Sequence, residues 1–171
     1  ICSIINGVTL KQKQLEQEVN NYFNNLKIDE KFGYLTTEKG FSGEQKKKYL
    51  PELCAGKGLW GFGLTEPSAG SDAGGSKTTA VKDGNDWVLN GSKIFITNGA
   101  GELSLGVTVQ AVTGKRPSGK PEYTCFLVEH GTPGFKAVPM HKKMMWRASD
   151  TAELFFNDVR ISEDNILGLK G

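Results

Sequence analysis

At 171 residues, with 37% hydrophobic and 23% charged residues, the chain has the composition of a globular protein large enough to bury a full core. A net charge of +2 argues for neither nucleic acid nor a membrane surface, and no apolar run approaches the length of a membrane span. Cys2, Cys54 and Cys125 are widely spaced without a CxxC, and His130 and His141 have no metal-like neighbours in sequence, so neither a disulfide framework nor a metal site is indicated.

Ile1 to Val8 is mildly apolar and takes no assignment. Thr9-Leu10-Lys11-Gln12 has the form of a capping box, and Leu15, Val19, Tyr22, Phe23 and Leu26 follow at helical spacing. Asp29 to Gly43 reads as a loop. Ser42-Gly43-Glu44-Gln45 is a second capping box opening a helix through Lys47, Tyr49, Leu50 and Leu53, which Pro51 is expected to kink or end. Lys46-Lys47-Lys48, the densest basic run, reads as a solvated helix face. Ala55-Gly56-Lys57-Gly58 breaks the chain before a first strand.

From Leu59 onward the pattern is β. Leu59 to Leu64 is an apolar run, followed by Thr65-Glu66-Pro67-Ser68-Ala69-Gly70-Ser71-Asp72. Pro67 fixes φ, and Gly70 allows a positive φ or a close backbone approach, so a stiff loop is expected at a strand end. Ser76 to Lys82 alternates weakly. Asp83-Gly84-Asn85-Asp86 is a hairpin turn. Trp87 to Leu89 leads to Asn90-Gly91, read as another turn, and then to a strand from Ile94 to Thr97. Leu103 to Val112, Tyr123 to Glu129 and Phe135 to Val138 read as strands, with a basic loop from Gly114 to Pro121. Glu153 to Phe156 and Val159 to Ile161 read as strands flanking an Asn157-Asp158 turn. Short strands at this spacing, with turn signals between them, predict an antiparallel all-β sandwich or barrel preceded by one or two helices.

Two stretches repeat one plan. Leu59 to Thr65 and Ile94 to Thr97 are each an apolar strand ending in Thr and followed by a Gly-containing turn. Together they can line one edge of a pocket. A flavin ring needs such an edge, because its pyrimidine side and N5 take hydrogen bonds while apolar side chains such as Phe62 and Phe95 cover a face. From spacing alone, an ordinary surface turn for the first loop and core packing for the two phenylalanines remain open alternatives. A Rossmann fingerprint is absent, since Gly61-x-Gly63 has no third Gly in place and no helix after it, and a Walker loop is absent too.

The stretches Leu64 to Asp72, Leu89 to Gly99, Phe126 to Glu129 continuing through Gly131-Thr132-Pro133-Gly134-Phe135, and Arg147 to Leu154 occur in the order and at the spacing of the acyl-CoA dehydrogenases. From about Gly43 to Gly171 the sequence resembles that family. The resemblance implies a partial N-terminal helical segment over residues 1–57 and a middle β-domain over 58–171. The family's C-terminal helical domain is absent, so the chain reads as part of an α/β/α three-domain flavoenzyme. It implies FAD as cofactor and α,β-dehydrogenation of an acyl-CoA thioester. In that reaction a carboxylate base removes the α-proton and the β-hydrogen leaves as hydride to flavin N5.

Carried over by position, Phe62, Gly63, Leu64 and Thr65 match the strand that holds the pyrimidine edge. Gly70 and Ser71 match the loop near flavin and the CoA chain, with Ser71 at the substrate-contact position. Phe95, Ile96 and Thr97 match the segment that packs on the ring and serves N5. Phe95 stands where many members have Trp, which keeps an apolar face and removes an indole N–H. Met144-Met145-Trp146 replaces the smaller residues usual before the Arg147 motif, and Arg147 is expected in a structural salt bridge.

No catalytic residue is assigned, because the family's base lies in the C-terminal domain. Glu66 and Asp72 are read as turn-fixing groups, Glu66 by accepting N–H bonds. The resemblance further implies electron-transfer flavoprotein as electron acceptor, a homo-oligomer at full length, and a cytoplasmic or mitochondrial-matrix location. The competing readings are an acyl-CoA oxidase, a flavin monooxygenase, or a β-domain that only binds or only supports.

Overall fold

The computed structural model describes residues 40–170. The chain divides into two compact units with the boundary between Lys57 and Gly58. In the first, α1 (Gly43–Cys54) begins at Ser42. The Ser42 hydroxyl accepts the Gln45 N–H at 3.1 Å, and the Gln45 side chain accepts the Ser42 N–H at 3.0 Å, the expected capping box. Pro51 does not end α1. It sits in the last turn, where it removes one backbone donor, and the Ala55 N–H still reaches its carbonyl at 3.0 Å. Lys47 and Lys48 are exposed, while Gln45 and Tyr49, four residues apart on one face, are buried. The helix expected around Leu15 to Leu26, with its Thr9 capping box, lies outside the described residues.

The second unit is one eight-stranded sheet. Its strands are β1 (Leu59–Gly63), β2 (Thr79–Asp83), β3 (Asp86–Thr97), β4 (Ser104–Lys115), β5 (Pro121–Glu129), β6 (Phe135–Pro139), β7 (Thr151–Ser162) and β8 (Ile166–Leu167). The order is β6-β7-β3-β2-β4-β5-β8, with β1 also on β4. The mainly β expectation holds, but not every pairing is antiparallel. Both β1 and β2 run parallel to β4. The reason lies in one line of chain: β1 covers β4 from Ser104 to Val109, residues 64–78 leave the sheet, and β2 re-enters opposite Val112 in the same direction.

Two expected turns are not turns. β3 runs unbroken through Asn90-Gly91, and β7 runs unbroken through Asn157-Asp158. They are the two sides of one β-bulge. Leu89 pairs with Val159 and Gly91 with Phe156, so two residues of β7 oppose Asn90 alone. Asn90 fills the gap with its side chain, donating to Asp158 Oδ1 at 3.0 Å and accepting the Asp158 N–H at 2.9 Å. Gly91 has a φ of +146°, and a Cβ there would lie 2.7 Å from Thr78 Cα. In sequence the Asn-Gly and Asn-Asp pairs read as turns, because bulges and turns both use residues that accept an unusual φ. The Asp83–Asp86 turn is a true hairpin, with Gly84 at φ +64°.

Inward residues at alternate strand positions, from one face of the sheet, form one core of Trp87, Leu89, Ile96, Val107, Val109, Phe126, Val128, Leu154, Phe156 and Val159, among others. β1 approaches this core closely because of Gly61. A Cβ on Gly61 would stand 2.9 Å from Val107 Cγ1 and 3.1 Å from the Thr97 carbonyl.

Candidate functional site

The loop 64–78 leaves the sheet where β1 ends. Glu66-Pro67-Ser68-Ala69 closes a tight turn, with Glu66 N–H on the Ala69 carbonyl at 3.0 Å and the reverse bond at 3.1 Å. Pro at its second position presets φ. The Glu66 side chain turns inward and ties both ends of the loop together. It accepts the Ser76 hydroxyl at 2.5 Å, the Lys77 N–H at 2.7 Å and the Thr78 N–H at 2.9 Å. This is the turn-fixing role expected of it. Its ion partner is Lys93 on β3, at 2.9 Å, and both side chains are almost wholly buried. Lys93 Nζ also donates to the Leu64 carbonyl and to Ser76 Oγ, each at 3.2 Å. Burial pushes the Glu66 carboxyl up, but the bonds from Ser76, Thr78, Lys77 and Lys93 outweigh it and bring it down to about 2. Burial pushes the Lys93 ammonium down, and Glu66 opposes that.

At the far end of β3 a second bulge places two residues, Ile94 and Phe95, opposite Glu153 alone. Phe95 adopts a φ of +61°, a conformation that costs a bulky residue energy and calls for an explanation. Its ring is 60% exposed. Phe62 is 39% exposed, because Gly61 and Gly63 face inward on either side of it. Neither phenylalanine is a core residue. After Thr97 the chain turns through Asn98, at φ +57°, and three distant elements clamp that turn. Asp150 Oδ2 accepts the Ala100 N–H at 2.9 Å and the Gly101 N–H at 2.7 Å. Ser104 Oγ donates to the Asn98 carbonyl at 2.6 Å. His130 Nε2 lies 3.1 Å from the Gly99 carbonyl and 3.0 Å from Ser104 Oγ.

Of the two strands expected to end in Thr only β3 does, at Thr97; β1 ends at Gly63, and the chain just past it meets β3. The Ile94 N–H donates to the Thr65 carbonyl at 2.9 Å, and Thr97 pairs with Thr151 across the β3–β7 ladder. Among the described residues, the hydroxyls of Thr65, Ser71 and Thr97 have no hydrogen-bond partner. Thr97, Gly70 and Ser71 are exposed, Leu64 and Thr65 are half-buried, and Gly63 and Ile96 are buried. Gly70 is not used as expected: its φ is not positive and nothing would lie within 4 Å of a Cβ there. No hydrogen bond ties Gly70 or Ser71 to the β3 end.

Arg147 forms no ion pair among the described residues. Its Nε donates to the Lys143 carbonyl at 3.1 Å, so the expected salt bridge is absent. Met144, Met145 and Trp146 are strongly exposed beside it. Sequence reasoning did not single out Lys93. The available signal was its inward phase on β3, two residues before the bulge at Phe95. Asp150 lies within the Arg147 to Leu154 motif, and its contact with a turn some fifty residues earlier has no local sign.

Residues 61–159 match the family model described as "Acyl-CoA dehydrogenase, middle domain". The chain belongs to the acyl-CoA dehydrogenase family. It is 50% identical over 130 residues to the long-chain specific mitochondrial acyl-CoA dehydrogenase of Sus scrofa, covering 74% of this chain and 29% of that enzyme. The structure of a glutaryl-CoA dehydrogenase from Mycobacterium smegmatis in complex with FADH2 superposes with a TM-score of 0.70 at 41% identity. That match covers 82% of this chain and 33% of the other. A structure described as the electron transferring flavoprotein of Acidaminococcus fermentans gives a TM-score of 0.68 at 43% identity, covering 75% and 33%. The chain thus spans about a third of the length of the relatives it matches.

In this member of the family the four sequence motifs come together around β3. The second motif ends in the Thr97 turn. The fourth supplies Asp150 to that turn, and the third leads from β5 through His130, which reaches Gly99. The first supplies Thr65 to Ile94. Among the described residues, no helix is long and apolar enough to cross a membrane, and no cluster of His, Cys, Asp and Glu could hold a metal ion.

Proposed function

We propose that this chain supplies the middle-domain share of an FAD and acyl-CoA site in an enzyme that dehydrogenates acyl-CoA thioesters. One observation carries the reading: the unpartnered Thr65 and Thr97 hydroxyls lie just past β1 and at the end of β3, segments joined by the Ile94–Thr65 bond, and Phe95, between Ile94 and Thr97, is exposed with a positive φ. A polar-edged flat ring fits that arrangement, since hydroxyl and main-chain groups can serve its edge while Phe95 and Phe62 cover a face. Phe62, Gly63, Leu64 and Thr65 would hold the pyrimidine edge. Gly70 and Ser71 would border the cofactor, with Ser71 reaching the acyl-CoA. Phe95, Ile96 and Thr97 would flank the reacting side of the ring.

The flavin supplies the hydride acceptor when bound. The chain's own part is to bind and orient the ring and to keep water off the covered face. The α-proton needs a base, and Glu66 does not qualify: it is buried, ion-paired and held as a carboxylate by four donors. The family resemblance puts the base outside this chain, and the chain alone is expected to turn over no acyl-CoA. Electron-transfer flavoprotein as acceptor, a homo-oligomeric parent enzyme, and a mitochondrial-matrix or cytoplasmic location complete the proposal. A close relative bears the name mitochondrial.

The test is the visible spectrum of the complete polypeptide, without oxygen, before and after a short acyl-CoA. A flavin band that bleaches is the expected result. A band that persists with acyl-CoAs of every length points instead to another flavin reaction, such as that of a monooxygenase. Absence of any flavin band overturns the reading.

A further inference from the structure

Two charges are buried together at the one place where the interrupted β1–β2 line leaves the sheet. A buried ion pair is an expensive way to gain stability, because a hydrophobic pair of the same volume often does as well. Its retention calls for something that only directed polar bonds supply. Glu66 binds three groups at the return end of the loop, Ser76, Lys77 and Thr78. Lys93 binds the Leu64 carbonyl at the departure end and is itself one residue from Ile94. The pair thus spans from the residue before Thr65 to the residue before Ile94, and a backbone hydrogen bond joins Thr65, just past β1, to Ile94 within β3. Every side chain proposed to meet the ring edge hangs from this junction or lies within three residues of it, Gly70 and Ser71 excepted.

We propose that Glu66 and Lys93 are positioning residues. They hold the Thr65 carbonyl on the Ile94 N–H and thereby set the spacing between the Thr65 and Thr97 hydroxyls. This rests on the flavin-site reading for its purpose, and on the hydrogen bonds alone for its geometry. Neither residue touches substrate. Breaking the pair loosens the junction locally, while the β4–β5 ladder, which shares none of these bonds, stays closed.

The experiment is amide hydrogen exchange on the 171-residue chain without cofactor. It compares wild type with Lys93→Met and with the double variant Glu66→Gln/Lys93→Met, and FAD is titrated into each in parallel. Lys93→Met leaves an unpaired buried carboxylate and is open to unfolding outright. The double variant carries no buried charge, keeps one amide oxygen to accept from the Lys77 or the Thr78 N–H, and decides the matter. The expected result is a cooperative melt in the double variant, exchange at Ile94 at least tenfold faster, and unchanged exchange at Val109 and Phe126. FAD affinity falls at least tenfold alongside. Unchanged exchange at Ile94, or acceleration equal at all three amides, overturns the positioning role. A wild-type chain and a complete polypeptide that both fail to hold FAD overturn the flavin reading instead, and the exchange data still decide the geometry.

Discussion

Thr65, Ser71 and Thr97 matter because their hydroxyls have no hydrogen-bond partner among the described residues, Thr65 just past β1, Ser71 in the 64–78 loop and Thr97 at the end of β3. Replacing Thr65 or Thr97 with Ala removes one hydrogen bond to a bound ring, a loss of about 0.5–1.5 kcal/mol. Flavin retention in the complete polypeptide is therefore expected to weaken in each variant, and equilibrium titration measures it. Unchanged affinity in both would make the two threonines parts of the fold only. Phe95 offers a sharper separation of fold from site. Its left-handed backbone costs roughly 1 kcal/mol, which Gly relieves, while Gly raises the entropy of the unfolded chain by a similar ~0.4–1 kcal/mol. Phe95→Gly is expected to leave stability within about 1 kcal/mol of wild type and still weaken flavin binding, because the exposed ring contributes little to the core. A denaturant titration showing a loss above about 3 kcal/mol, the range of buried Phe truncations, would return Phe95 to the core.

At the scale of elements, the β3–β7 bulge and the 64–78 loop are the devices that shape the site. Gly91→Ala would drive a Cβ into the Thr78 backbone at a φ of +146°, so a destabilisation of about 2–4 kcal/mol is expected, read by chemical denaturation. The loop has its own signature in acid. The Glu66 carboxyl is lowered from an ordinary 4.5 to about 2 in the folded chain. A depressed carboxylate stabilises the fold above its unfolded value, and that stabilisation is lost as pH falls from about 4.5 towards 2. Unfolding free energy followed by tryptophan fluorescence is thus expected to drop through this range, with a shallower drop in Glu66→Gln. Equal slopes in the two proteins would remove Glu66 as the cause. The turn signals at Asn90-Gly91 and Asn157-Asp158 were legible as places of unusual backbone, but not as one bulge. Their meaning depends on each other across 68 residues, through the Asn90–Asp158 bonds.

Across the whole β unit, a single sheet wraps one core, and Leu154 is its junction. It is fully buried on β7, it pairs with Lys93, and it lies 3.6 Å from where a Gly63 Cβ would stand. Leu154→Ala is expected to cost about 2–5 kcal/mol in one cooperative transition, since the cavity opens where β1, β3 and β7 meet. Two transitions in a thermal melt of the β unit would contradict the single core.

The sequence by itself determined the family, the mainly β class, the capping box at Ser42, the Asp83–Asp86 hairpin and the strand that ends at Thr97. Those features are written in local patterns of apolar periodicity, caps and turn residues, and in motifs kept in a fixed order. Only the tertiary structure decided that β1 and β2 form one interrupted line parallel to β4, that two turn signals make one bulge, and that Lys93 completes Glu66. It also decided that Phe62 and Phe95 face outward and that Arg147 stands without an ion pair. Each of these depends on which distant segment lies alongside. Pairing register and buried charge are set by contacts far apart in the chain, and local sequence carries no term for them.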